Sequence, residues 1–201
     1  MQNEVLEATT ASGVGLRVEF VWQGDRFGHV VSLIDANGTV IKLLESVEGT
    51  ANDPWPPSPP LQSLHLQMLP ADRRAALLVG MAGRSHWSAS IETAPSPRAI
   101  QFDIACRSSD SEAPLRSRYK LVANGAIAHL HEGPCEVTCE AGRLQIVAEN
   151  GGELSLLGQE ISVTASRQPL SRTPLPSPAA TRRWKYQISH EPLARSLPSS
   201  L

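Results

Sequence analysis

GMAGRSHWSASIETAPSPRAIQFDIACRSSDSEAPLRSRYKL, residues 80–121, decides the fold. Trp87, Ala89 and Ile91 alternate with His86, Ser88, Ser90 and Glu92, the period of two that marks a strand with one buried face. Ile100, Phe102 and Ile104 repeat the pattern against Gln101, Asp103 and Arg107, and Tyr119 and Leu121 repeat it against Arg116, Arg118 and Lys120. The segment reads as three consecutive strands sharing a dry face and a charged face.

Strand signals continue on both sides. Leu16, Val18, Phe20 and Trp22 give a long strand. Apolar runs at 27–34 and 40–44 flank Asp35-Ala-Asn-Gly38, a hairpin signal, and are apolar enough to expect cover on both faces. Further runs at 61–68 and 75–81 are separated by Pro70-Ala-Asp72, and a turn near 71–76 is the only helical element expected. Strands at 136–140, 143–149, 153–157 and 160–165, with short Gly- and Asn-containing connections, predict a meander. Many short strands with regular turns make an all-β, antiparallel β-sandwich of one domain. Residues 1–165 form its core, 166–181 a Pro/Ser-rich linker, 182–192 a returning C-terminal strand and 193–201 a disordered tail. Trp184, Tyr186 and Ile188 share one face of that last strand, which is expected as an edge strand closing the sandwich or pairing with a second copy as a homodimer.

Composition narrows the function classes. A net charge of −2 and 4% aromatic residues argue against a nucleic-acid partner, which needs a basic surface or stacking platforms. No run reaches the ~18–20 apolar residues of a membrane span, and no apolar segment with a basic flank opens the chain. A soluble, cytoplasmic protein without a membrane partner is expected. Asn37-Gly38-Thr39 reads as a turn in preference to a glycosylation site.

Catalytic and metal signatures are sparse. There is no G-x-S-x-G elbow, no H-E-x-x-H and no Walker loop, and Gly13-Val-Gly15 precedes a strand. Cys106 falls on an apolar strand face. His129, His131, Cys135 and Cys139 offer four metal ligands in a short window, but an extended 135–139 segment separates its thiols by ~13 Å, too far for a disulfide and awkward for one zinc ion. No metal and no cofactor are expected.

The charged face of the 80–121 unit remains. If 93–98 closes a hairpin, matching apolar faces sets Ile91 opposite Ile100, Ala89 opposite Phe102 and Trp87 opposite Ile104. Ser88 then faces Asp103, with His86 diagonal to it. Pairing the second strand with the third sets Asp103 opposite Arg118. His86, Ser88, Asp103, Arg116 and Arg118 thus gather on one surface, a chemistry that suits vicinal hydroxyls. The alternative is a solvated face with a cross-strand Asp103–Arg118 ion pair. Asp53-Pro-Trp-Pro-Pro-Ser-Pro-Pro60 is an extended loop in which Trp55 is either an aromatic platform over that surface, a groove ligand, or a buried anchor.

This architecture resembles that of carbohydrate-handling β-sandwiches, sugar mutarotase-type sheets among them. The resemblance is one of shape and carries no catalytic residue across. The sequence points to non-catalytic binding of a carbohydrate or similar polar ligand on an open sheet face. The alternatives are a protein-interaction module using the Pro-rich loop or the last strand, and a mutarotase-like sugar enzyme.

Overall fold

The structure is a computed structural model that describes residues 3–50, 52–96, 98–110, 113–166 and 179–191. Fifteen strands, and no helix, make up the described residues: β1 Glu4–Thr9, β2 Gly15–Trp22, β3 Phe27–Ile34, β4 Val40–Ser46, β5 Leu61–Met68, β6 Arg74–Ala82, β7 Ser85–Thr93, β8 Ala99–Ser108, β9 Arg116–Leu121, β10 Ile127–Leu130, β11 Pro134–Cys139, β12 Gly142–Glu149, β13 Gly152–Leu157, β14 Glu160–Ala165 and β15 Ala180–Glu191. Two antiparallel sheets pack as a sandwich. One has the order β1-β2-β3-β4-β9-β14-β13, the other β10-β11-β12-β15-β8-β7-β6-β5.

Period-two alternation produces this arrangement directly. Leu16, Val18 and Phe20 point inward from β2, Ala89 and Ile91 from β7, and Trp184, Tyr186 and Ile188 from β15; all are buried. The β3–β4 hairpin forms as expected, with Gly38 at φ 80° and Asp35 Oδ1 accepting from the amides of Asn37 and Thr39 at 2.8 Å. Its cover is uneven: Val31 to Ile34 are buried, whereas Val40 and Lys42 are exposed.

Several sequence expectations need correction. The β7–β8 hairpin is shifted by two residues, so that Ile91 faces Phe102, Ala89 faces Ile104 and Trp87 faces Cys106. The turn is centred one residue later than expected, closed by an Ala94 amide to Ala99 carbonyl bond and a left-handed Arg98. A two-residue shift preserves the faces, and Trp87, Ala89, Ile91, Phe102, Ile104 and Tyr119 are all buried. The third strand does not pair with the second. β9 lies in the opposite sheet between β4 and β14, and the neighbour of β8 is β15. The long β15 matches β8 from Ala180–Ser108 to Ser189–Ala99, a ladder that the six-residue β9 could not fill.

The last strand is therefore central, flanked by β12 and β8, and not an edge. The expected meander is also split, because the turn at Asn150–Gly151 carries the chain from β12 in one sheet to β13 in the other. Strands β1 and β10 were not expected from the sequence. The tether and the tail lie largely outside the described residues.

The turn expected to carry helix, at residues 71–76, instead joins β5 to β6. Ala71 and Asp72 both have positive φ, 60° and 56°, a conformation that costs a side-chain-bearing residue ~1–2 kcal/mol. Ala71→Gly removes that penalty, while the greater freedom of glycine in the unfolded chain offsets part of the gain. The expected outcome in urea unfolding is a stabilisation of about 0.5–1 kcal/mol. A destabilised variant would contradict the left-handed turn.

Candidate functional site

The sequence-derived residues are divided among four places. His86 and Ser88 are exposed on the outer face of β7. They line a depression of about 580 Å³ together with Gln62 and Ser63 of β5, Val79 and Met81 of β6 and Arg107 of β8. Two cross-strand rows build it. Met81, His86, Arg107 and Thr181 stand side by side across β6, β7, β8 and β15, with Val79, Ser88 and Ala105 in the row beside them. Polar hydrogen-bonding groups thus surround an apolar centre, since Val79 is 55% and Met81 48% exposed.

Asp103 lies on the same outer face but away from this depression. It faces Ser90 and Lys185, not Ser88. Four strand steps, ~13 Å, separate His86 from Ser90, so His86 and Asp103 form no acid–base pair. Both carboxylate oxygens of Asp103 accept from the Arg183 guanidinium, and Lys185 Nζ lies 2.7 Å from Oδ2. Burial works to raise this carboxyl, but the bonds from Arg183 and Lys185 outweigh it and hold it below its ordinary range.

Arg116 and Arg118 belong to β9 and the other sheet, so the expected Asp103–Arg118 pair does not exist. Arg118 instead grips Glu160 with Nε and Nη2, at 2.5 and 2.7 Å.

Trp55 is anchored in the segment between β4 and β5. Its indole N–H donates to the Pro114 carbonyl at 2.8 Å, and its ring lies 5.8 Å from that of Trp87, which meets Trp184 edge-on at 6.2 Å. A tryptophan chain thus runs from the loop into the core. Trp55 is only half-buried, and it also lines a second depression of about 490 Å³ with Asp53, Arg84 and Asp110. Gln62 and Met81 line both depressions, which therefore adjoin. The Gln62 side chain is held there by the backbone of Met81, accepting from its amide at 3.0 Å. Gly80 permits the loop to come this close, since a Cβ there would lie 1.9 Å from the Pro60 carbonyl oxygen.

A polar cluster inside the sandwich escaped the sequence reading. The hydroxyls of Tyr119 and Tyr186 meet at 2.6 Å across the two sheets, and His29 Nε2 lies 2.8 Å from the Tyr119 hydroxyl. Trp184 donates its indole N–H to Ser117 Oγ at 3.2 Å. Glu48 is 4% exposed; Ser46 hydrogen-bonds its carboxyl, while Oε2 has no hydrogen-bond partner among the described residues. Burial pushes the Glu48 carboxyl up to about 7, against the opposing pull of Ser46 and Arg26, and drives the His29 imidazole down to about 4. Both groups line a cavity of only about 10 Å³, room for one water and no substrate, sealed by Ser58, Pro59 and Leu61. The available signal was parity. Leu44, Ser46 and Glu48 continue one inward face, and His29 shares that of Val31 and Leu33.

Cys106 and Cys135 are buried, which raises both thiols to about 11, and Cys139 is half-buried. His129 and His131 are exposed, and no group of three His, Cys, Asp or Glu side chains among the described residues could hold a metal ion.

No protein-family model matches the chain, and no curated protein matches it in sequence.

Glu48, buried, and His29, half-buried, have opposite effects on stability. Glu48, raised from 4.5 to about 7, contributes stability that is complete below pH 4.5 and lost as pH rises through about 7. His29, lowered from 6.5 to about 4, contributes stability that is complete above pH 6.5 and lost as pH falls through about 4. Between pH 4.5 and 6.5 the pair binds one proton in either state, on Glu48 when folded and on His29 when unfolded, so the two effects cancel. Wild-type stability is expected to be nearly level across that window. Glu48→Gln should expose a loss of about 3 kcal/mol on acidification, and His29→Gln a similar loss on alkalinisation. Parallel urea titrations check this; one common profile for all three proteins would refute it.

Proposed function

We propose that this protein is a non-catalytic binding module that takes a carbohydrate, or a similar polar ligand with apolar faces, along the two adjoining depressions. One observation carries the reading: Gln62 and Met81 join the His86–Ser88–Arg107 depression to the one lined by Trp55. Sugars present hydroxyls at their edges and C–H groups on their faces. The side chains of His86, Ser88, Ser63 and Arg107 suit the edges, with the guanidinium able to pair two neighbouring hydroxyls. Val79, Met81 and the half-buried ring of Trp55 suit the faces.

Binding is favoured over turnover by the separation of the ionisable groups: the first depression is lined by one imidazole and no carboxylate, and Asp25, Asp53 and Asp110 line only the second. A mutarotase-like reaction needs an acid and a base within reach of the same sugar. The nearest expected carboxylate, Asp103, is engaged by Arg183 and Lys185.

Titration with a panel of soluble glycans, followed by tryptophan fluorescence and amide chemical shifts, tests this reading. A saturable response is expected from at least one glycan. Arg107→Ala should weaken it about tenfold, the loss of roughly one charge-assisted hydrogen bond, without changing the melting temperature. Met81→Asp should weaken it as well. A panel that moves neither fluorescence nor amide shifts would overturn the proposal.

A further inference from the structure

Among the described residues the eight-stranded sheet ends on β5, Leu-Gln-Ser-Leu-His-Leu-Gln-Met, a strand with no Asp, Glu, Lys, Arg or proline. An open edge is a template for another strand, and edges that stay solitary carry charges, prolines or short strands. The other three sheet ends follow that rule. β1 carries Glu4 and Glu7, β13 carries Glu153, and β10 is four residues long. β5 has only a bulge at its start, between Leu61 and Ser63, which leaves residues 63–68 regular.

The side chains around this edge are unusually apolar. Leu64 and Leu66 point to the inner side and pack on the margin of the core, half-buried. Met68 is 62% exposed, and on the outer face of neighbouring β6 Leu77, Val79 and Met81 are 38%, 55% and 48% exposed.

We infer that β5 pairs antiparallel with β5 of a second copy of this chain, about a two-fold axis through His65, joining the two eight-stranded sheets into one. The pleat limits the register, because inner side chains must face inner side chains. Centring on His65 does so and sets Leu64 opposite Leu66 of the partner subunit and Ser63 opposite the partner's Gln67. The two leucine pairs close over the exposed core margin. An isologous pairing places like residues near like, so a charged strand would repel itself; this one cannot. β15, the strand that the sequence suggested for such a contact, is paired on both sides and offers no edge.

The axis position of His65 gives a specific experiment. In sedimentation velocity over a wide concentration range, the full chain should approach twice its 21.7 kDa mass. His65 is exposed, so His65→Glu and His65→Lys keep the fold, verified by circular dichroism, and each places like charges together on the axis. Each variant alone should be monomeric, and an equimolar mixture should recover the dimer. A wild-type chain that is monomeric at every concentration overturns the inference and leaves the edge to a strand of another protein. A dimer that survives in both variants, or a mixture that fails to associate, equally overturns it by placing the contact elsewhere.

Discussion

A single hydrogen bond, Tyr119 to Tyr186 at 2.6 Å, fixes how the two sheets face each other. Both hydroxyls are buried, and a buried hydroxyl without a partner costs roughly 1–3 kcal/mol. Each therefore requires the other, and each also leans on a further group: His29 on Tyr119, Ser117 on Tyr186. Sliding one sheet over the other would break the Tyr119–Tyr186, Ser117–Tyr186 and Ser117–Trp184 bonds and leave only His29–Tyr119, which lies within the seven-stranded sheet. Phe102, stacked on Tyr186 at 4.7 Å, restricts the ring further. The same constraint accounts for β9 lying in the sheet that faces β8 and β15, and not beside β8. Placed in the eight-stranded sheet, Tyr119 would lose its inter-sheet hydroxyl partner, and Trp184 would lose Ser117.

Around this bond the core is selectively polar. Burial raises both tyrosine hydroxyls above their ordinary range, so they remain donors at any pH the fold meets. Glu48 and His29 are pushed toward neutrality from opposite directions. Between about pH 4 and 7 the fold thus accommodates an acid and a base at one small cavity without a charge on either, which is much less costly than an unpaired ion in the interior. The segment after Glu48 closes that end of the sandwich. Arg26 donates to the Glu48 carbonyl at 3.2 Å, and Ser58 accepts from the Arg118 amide at 3.0 Å.

Local pattern made most strands legible, and topology much less so. The inward residues of β2, β7, β8 and β15 can be read from alternation alone, because a strand with one wet face must alternate. Pairing partners cannot be read that way. Tyr119 and Ile104 present the same parity whether their strands adjoin or face each other across the core. The misplaced β9 is that ambiguity, and it removed Arg116 and Arg118 from the expected surface. His86 and Ser88 kept their depression because a two-residue slip in register leaves faces unchanged. Glu48 and His29 were passed over because polar residues at inward parity look like interruptions until the neighbouring hydroxyls are known. Trp55 was read as an anchor or as a platform, and it has the contacts of an anchor while part of it lines a depression.

The outer face of the eight-stranded sheet is divided by charge. Toward β8, β15, β12 and β11 it carries interlocked ion pairs: Asp103 with Arg183 and Lys185, and Arg143 with Glu136 and Glu191. Gln101 and Glu149, bonded at 3.0 Å, continue that network. Toward β7, β6 and β5 such pairs are confined to Arg73 with Glu92 at one end of the strands, and serine, valine, methionine and an uncharged edge make up the rest. Groups already paired to each other have little left to offer a ligand, and releasing them would cost their mutual bonds. Away from Glu92 the β5–β7 end has no such commitment among the described residues, and its apolar side chains gain by leaving water. Ligand recognition and strand pairing therefore both fall on one end of one sheet, for the same reason. A second copy paired along β5 would bring two such depressions onto a single continuous face, with the ionic regions at its far ends.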